Sequence, residues 1–210
     1  PGEVRTGGVD LVKLGVQAEA VIIAEPLKIA GGLDGRGVAA RVVVAHVDTG
    51  LVDVGRAHEG RGVALQHKDA LARRAAAESV VLLKNDGDLL PLAADASVAV
   101  IGDFAETPRY QGAGSSAVNS IKVDTFLDCL KDSGLHSVGF AAGFDRQGKP
   151  DDAKKAEAVA LAKKADTVLL CLGLDEIKES EGLDRADMKL ADNQIELCLL
   201  YTSPSPRDCS

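Results

Sequence analysis

The stretch Thr167-Val168-Leu169-Leu170-Cys171-Leu172-Gly173 decides the fold class of this chain. It is a short, continuous apolar run that ends in glycine, a pattern typical of a β-strand buried on both faces. The preceding residues, 151–166, repeat apolar side chains at the spacing of one helix face, namely Ala158, Leu161, Ala162 and Ala165. Together the two patterns predict a helix followed by a central strand.

The same alternation extends toward the amino terminus. Further helices are predicted at residues 67–79 and 126–132, and further strands at residues 79–83, 97–102 and 136–140. Helices and strands that alternate in this way form a mostly parallel sheet with right-handed crossovers and helices on both faces. The predicted fold class is therefore α/β, a flavodoxin-like α/β sandwich that is incomplete in this chain.

Composition and charge exclude several kinds of partner. The formal net charge is −8 and no basic stripe offsets it, which argues against nucleic acid. No apolar run is long enough to span a membrane. The four cysteines have neither the spacing of metal ligands nor that of a small disulfide framework, so no metal and no other cofactor is predicted. Reduced thiols favour a cytoplasmic location.

The segment that points most directly to chemistry follows the central strand: Glu179-Ser180-Glu181-Gly182-Leu183-Asp184-Arg185. It places three carboxylates and a guanidinium in one short loop at the predicted carboxyl end of the strand, where open α/β sheets bind ligands. A carboxyl group there can act as a general acid if its surroundings raise its pKa toward neutrality. The alternative is a solvated turn, in which Asp184 pairs with Arg185 or caps the next helix.

A second polar segment is the glycine-rich loop Tyr110-Gln111-Gly112-Ala113-Gly114-Ser115-Ser116. Its glycine spacing resembles the dinucleotide-binding fingerprint, but that fingerprint lies directly between a strand and a helix, and this loop does not. Two further interpretations are a structural turn and a polar loop whose hydroxyls and backbone N–H groups hold a sugar.

Both ends of the chain depart from this pattern. Residues 1–65 contain no Ser, Asn, Cys, Met or aromatic residue, and residues 1–66 are left unassigned, with a wrong-frame translation favoured over an unusual β-rich segment. Residues 198–210 resemble the in-frame translation of a sequencing adapter and are predicted not to continue the helix that begins at residues 193–197. The readable domain is therefore expected at residues 67–197, cut off near its end.

This middle region resembles the C-terminal domain of the family-3 glycoside hydrolases, especially the bacterial β-glucosidases. Four blocks carry the resemblance in the order of the family: residues 72–85 with 90–92, residues 98–102, residues 111–116, and residues 179–185 with Met188, Leu190 and Gln194. One departure is Leu190-Ala191, where the family usually has Leu-Pro.

The resemblance implies a retaining mechanism with two carboxylates. An Asp on an N-terminal barrel domain attacks the anomeric carbon, and a Glu on this domain protonates the leaving oxygen and then activates water. By position in the motif, Glu181 is implied as the acid/base and Glu179 is the runner-up. The barrel is not readable in residues 1–66, which are then either its remnant or the wrong-frame translation, so this chain is expected to be inactive alone.

The resemblance also implies how the substrate is held. Ser115 is expected to contact the sugar, with Gln111 and Ser116 in support, while Asp184 and Arg185 are expected to shape the loop. A Glu on this domain favours terminal β-linked glucose or xylose as the carbohydrate substrate, because family members that cleave N-acetylglucosaminides commonly carry the acid/base on the barrel. The alternative function is a non-catalytic α/β module that binds a metal, a partner or a nucleotide.

Overall fold

The computed structural model describes residues 8–9, 20–24, 42–47, 61–115, 117, 119–120, 122–187 and 189–202. The helices are α1 (Arg61–Glu78), α2 (Phe126–Lys131), α3 (Asp152–Ala162) and α4 (Asp192–Thr202). The strands are β1 (Gly8–Val9), β2 (Ala20–Ala24), β3 (Val42–Val47), β4 (Val80–Asn85), β5 (Leu92–Ala93), β6 (Ser97–Ile101), β7 (His136–Ala141) and β8 (Thr167–Leu172). The helices and strands predicted from residue 67 onward are thereby confirmed, with shifts of up to six residues at their ends, the largest at the start of α1.

Six of these strands form one sheet in the order β4-β3-β2-β8-β6-β7. Strands β7, β6 and β8 are mutually parallel, as predicted, and α3 connects β7 to β8. The α/β class is therefore confirmed. On the other side of β8, the strands β2, β3 and β4 pair antiparallel. Strands β3 and β4 are antiparallel although α1 lies between them in the chain, so α1 does not connect two parallel strands, and its Leu71 is 59% exposed.

The core lies around the two central parallel strands. All six residues of β8 and residues 98–101 of β6 are buried. Because consecutive strand residues point to opposite faces, this burial means that both faces of the sheet are covered here. On one flank, α3 places Leu161 close to Gly139 of β7, and α4 places Leu197 close to Gly143, just beyond β7.

The carboxyl ends of β6 and β8 lie unusually close together at Gly102. Gly102 has φ +123°, and a Cβ there would overlap the carbonyl oxygen of Cys171 and lie 2.8 Å from its carbonyl carbon. Its N–H also donates to the carbonyl of Ala141, at 3.0 Å. Glycine is required here because the positive φ disfavours a side chain and because a Cβ would collide with the Cys171 carbonyl.

Helix α4 corrects one expectation about the end of the chain. The helix does not stop at Leu197 but continues to Thr202. Leu197 and Tyr201 are buried one turn apart, and Cys198 packs against the same core, so residues 198–201 supply an apolar helix face that the unusual composition of the tail obscured. Residues 203–210 lie outside the described part of the chain. None of the described helices combines the length and apolar character needed to cross a membrane.

Candidate active site

Three loops leave the sheet at the carboxyl ends of the parallel strands. We call them the β6 loop (residues 102–125), the β7 loop (residues 142–151) and the β8 loop (residues 173–191). Since β6, β7 and β8 run in the same direction, these loops meet at one edge, as the sequence predicted for the acidic segment.

The central contact of this edge joins Glu181 to Ser115. Glu181 Oε2 accepts a hydrogen bond from the backbone N–H of Ser115, at 2.7 Å, and another from the Ser115 hydroxyl. Gly114, with φ +93°, makes this approach possible, because a Cβ there would lie 2.9 Å from both Cβ and Oε2 of Glu181. Two candidate residues from separate segments are therefore in direct contact on an exposed surface.

The electrostatics of Glu181 differ from the sequence expectation. The hydrogen bonds from Ser115, first that of its hydroxyl and then that of its N–H, lower the pKa of Glu181 from its ordinary value. Both donors stabilise the charged carboxylate, and the side chain is open to water, which also favours the charged form. In this structure Glu181 is thus an ionised acceptor, whereas general-acid chemistry needs a raised pKa.

Glu179 is held in a different way, by a buried arginine. Arg109 of the β6 loop donates through Nη1 to Glu179 Oε2 and through Nη2 to the Glu179 carbonyl oxygen, both at 2.9 Å. The Arg109 side chain is only 5% exposed, while that of Glu179 is 48% exposed. The guanidinium therefore binds both the side chain and the main chain of one residue in the acidic segment.

A second arginine, Arg146 of the β7 loop, connects all three loops. It donates to the carbonyl oxygen of Thr107, forms a 2.7 Å ion pair with Asp103, and lies 3.6 Å from a carboxylate oxygen of Glu176. Its guanidinium carbon also lies 4.3 Å from the centre of the Phe104 ring, within cation–π distance. The edge of the sheet is thus held together by charge as well as by packing.

The first residue of the β8 loop, Gly173, is held by a side chain of α4. Gln194 is 1% exposed; its Oε1 accepts from the Gly173 N–H at 3.0 Å, and its Nε2 donates to the Gly173 carbonyl at 2.9 Å. This pair satisfies both backbone groups of the first residue after β8, in a buried position where an unpaired group is costly.

The other predicted site residues have less specific surroundings. Gln111 is half-buried and donates to the Tyr110 hydroxyl at 3.3 Å. Asp184 is exposed and Arg185 half-buried, and no ion pair joins these two among the described contacts. Ser116 lies outside the described residues. Sequence reasoning missed Arg109 and Arg146, since a single cation in a loop belongs to no periodic pattern.

The geometry gives no support to the metal and nucleotide alternatives. Among the described residues, no three His, Cys, Asp or Glu side chains come together as a metal site would need. The glycine-rich loop does not lead directly into a helix, because α2 begins only at Phe126, well after Gly114. A phosphate on this loop would therefore lack the helix N-terminus that completes the dinucleotide fingerprint.

Comparison with known proteins agrees with this geometry. The family model of the "Glycosyl hydrolase family 3 C-terminal domain" matches residues 80–201, more than half of the chain. The chain belongs to glycosyl hydrolase family 3. The match includes both Ser115 and Glu181, and it extends through the part of α4 that the sequence interpretation excluded.

Relatives within this family include named glycosidases. The chain is 47% identical over 139 residues to an exo-α-(1→6)-L-arabinopyranosidase of Bifidobacterium longum, covering 61% of this chain and 18% of that protein. It is 40% identical over 136 residues to the thermostable β-glucosidase B of Acetivibrio thermocellus, covering 62% and 18%.

A solved structure of the family resembles the fold as well. The crystal structure of a Bifidobacterium adolescentis GH3 β-glucosidase has a TM-score of 0.61 and 44% sequence identity, covering 72% of this chain and 21% of that one. The chain thus spans about a fifth of the length of these family-3 relatives.

Proposed function

We propose that this family-3 domain supplies the acid/base carboxylate of a retaining glycoside hydrolase, and that Glu181 is that carboxylate. The observation that carries the proposal is the contact between Glu181 and Ser115 at the carboxyl edge of the parallel strands. The exposed carboxylate of Glu181 lies beside the Ser115 hydroxyl, Gly114 and Gly182. A sugar can approach such a surface closely.

The lowered pKa of Glu181 is compatible with this proposal if a second domain completes the site. A retaining glycosidase places its two carboxyl groups roughly 5–5.5 Å apart. A nearby carboxylate and the exclusion of water both raise the pKa of a carboxyl group, so a facing domain that carries the nucleophile converts Glu181 from an ionised acceptor into a proton donor. On this basis the chain by itself does not hydrolyse glycosides.

For the substrate we propose a terminal β-linked glucose or xylose. The 40% identity to a β-glucosidase supports this choice, while the higher identity of 47% to an enzyme named as an arabinopyranosidase supports another pyranoside. Ser115, with Gln111 and Ser116 in support, is proposed to contact the sugar.

The test uses a two-domain enzyme. Residues 80–201 replace the matching segment of the Bifidobacterium adolescentis β-glucosidase, and the hybrid is assayed on aryl β-glucosides and β-xylosides whose leaving groups differ in acidity. Glu181→Gln is expected to lower kcat/KM by about 10²–10⁴-fold for poor leaving groups, which need a proton, and far less for good ones. Added azide is expected to restore turnover of the good leaving groups.

The matched control is Glu176→Gln, an exposed carboxylate of the same loop, which is expected to leave the dependence on the leaving group unchanged. If Glu179→Gln shows that dependence instead, the two glutamates exchange roles. An equal loss for all leaving groups in Glu181→Gln would contradict the proposed proton transfer.

The alternative of a non-catalytic binding module remains as the rival outcome. It is favoured if the folded hybrid has no activity on any glycoside while a nucleotide or a divalent metal ion raises the thermal stability of the chain alone.

A further inference from the structure

Two residues of the β6 loop hold the β8 loop on either side of Ser180. Arg109 binds Glu179, and Ser115 binds Glu181. We propose that Arg109 is a positioning residue: by binding Glu179 it fixes the main chain next to Glu181 and keeps the Glu181 carboxylate against Ser115. This inference rests on the proposed function. It gives Glu179 the role of the residue through which Arg109 holds the loop, rather than that of the acid/base.

The way Arg109 binds is what carries the inference. Its two terminal nitrogens bind two different parts of Glu179, the carboxylate and the main-chain oxygen, at the same distance of 2.9 Å. A contact to the side chain alone would leave the backbone of Glu179 free to rotate. A second contact to the carbonyl oxygen restricts that rotation, and only two peptide units separate it from Glu181.

Burial shows which end of this contact is the support. Arg109 is almost fully enclosed, and an enclosed guanidinium requires a partner. Arg109 belongs to the loop that follows β6, and β6 is a buried strand in the centre of the core. Glu179 is half exposed and belongs to a loop whose outer residues are mostly open to water. The β6 loop is therefore the support, and the acidic segment is the part that is held.

The two glutamates consequently differ in what they are free to do. Glu179 is engaged through both its carboxylate and its carbonyl oxygen. Glu181 is bound on Oε2 by a hydroxyl and one N–H, and a hydroxyl can rotate to bind a substrate instead. This difference favours Glu181 as the carboxylate that meets the substrate.

The test measures Glu181 in the full chain, without any assay of activity. The side-chain carboxyl carbons of Glu are labelled with ¹³C, and the Glu181 signal is followed through a pH titration while hydrogen exchange is measured at the Ser115 amide. Arg109→Lys keeps the positive charge but loses the planar fork that binds two groups. We expect the Glu181 midpoint to rise toward that of an unpaired glutamate, and the Ser115 amide to exchange about five- to tenfold faster.

The matched control is Arg146→Lys, which changes an arginine that also contacts the β8 loop but does so at Glu176. It is expected to leave both Glu181 readouts unchanged. Glu179→Gln weakens the same contact from the side of the glutamate. It is expected to shift the Glu181 midpoint and the Ser115 exchange rate in the same direction as Arg109→Lys. If Arg109→Lys does not fold, Glu179→Gln provides the test of the proposal.

Unchanged Glu181 and Ser115 readouts in a folded Arg109→Lys or Glu179→Gln protein overturn the proposal. An equal shift in Arg146→Lys also overturns it, since the effect is then a general loosening of the loops. A failure of the leaving-group test in the hybrid enzyme removes the acid/base role of Glu181 but does not alter these readouts, so the two proposals fail separately.

Discussion

Strand β8 and the loop that follows it are adjacent in the chain and opposite in character. Every residue of Thr167–Leu172 is buried, while Glu176, Ile177 and residues 181–184 are exposed. An unpaired charge is too costly for the strand environment, whereas the loop keeps its carboxylates in contact with water. The buried core and the candidate site thus lie in neighbouring segments, which substitutions can separate.

The largest expected effect is at the junction of the two regions. Gly102→Ala places a Cβ on the Cys171 carbonyl at a backbone angle that favours glycine, so the ends of β6 and β8 must separate. We expect a loss of more than about 4 kcal/mol in the free energy of unfolding, measured by urea denaturation. Gly134→Ala is the control: φ is also positive there, but nothing lies within 4 Å, so a loss of about 1–2 kcal/mol is expected. Equal losses would mean that the close approach of the strands carries no energy.

The next effect contrasts a strand leucine with a loop leucine. Leu170 is fully buried in β8, and Leu170→Ala is expected to lower the free energy of unfolding by about 3 kcal/mol through lost burial and a cavity. Leu183 is 62% exposed in the β8 loop, and Leu183→Ala is expected to change it by less than about 0.5 kcal/mol. Urea midpoints of the two variants check this, and a large loss in Leu183→Ala would show that the loop leucine is packed in solution.

A smaller effect is expected where α4 meets the end of the strand. Gln194→Leu keeps most of the volume of the side chain but leaves the N–H and carbonyl of Gly173 unpaired in a buried place. The expected loss is about 2 kcal/mol, measured by thermal unfolding. Gln147→Leu, at an exposed position, serves as the control and is expected to be nearly neutral. A neutral Gln194→Leu would contradict the role given to the two hydrogen bonds.

The smallest effect concerns the acid range of pH. Because Ser115 lowers the pKa of Glu181, the folded state binds this proton less readily than the unfolded chain does. The resulting stabilisation is present above the ordinary pKa of glutamate and is lost as the pH falls through the lowered value. Ser115→Ala removes the hydroxyl, so a smaller loss of stability is expected as the pH is lowered below about 4.5, the ordinary value for glutamate.

Urea midpoints measured across this pH range check the effect of Ser115→Ala. Ser133→Ala removes a hydroxyl that donates to the Leu130 carbonyl and accepts from the Leu135 N–H, both of them backbone groups, and is expected to keep the pH dependence of the original chain. If the urea midpoint of Ser115→Ala has the same pH dependence as that of the original chain, Ser115 does not bind the Glu181 carboxylate in solution.

How far the sequence predicts this molecule depends on the region. Strands β6 and β8 are readable because burial on both faces requires a continuous apolar run, and α3 because its apolar residues recur at helix spacing. The parallel order of the carboxyl ends then places the Ser115 and Glu181 loops at one edge. The direction of β2 and β3 follows from no pattern of this kind, since an apolar run of similar length pairs either way.

The fine structure of the site was less predictable, for a physical reason. Arg109 and Arg146 contact residues about 70 and about 40 positions away in the chain, respectively, distances at which single polar residues carry no periodic signal. The direction of the Glu181 pKa also depends on how close Ser115 comes, which is set by the missing side chain of Gly114. Such contacts become visible only when the loops are placed in space.

The contact between Gln194 and Gly173 has a consequence for how the acidic loop can move. The side-chain amide of Gln194 has an N–H donor and a carbonyl acceptor, as a peptide group does, so it pairs with Gly173 as a neighbouring strand would. These two hydrogen bonds come from helix α4 rather than from a strand. We therefore expect a tilt of α4 to move the first residue of the β8 loop, and with it the loop that carries Glu181.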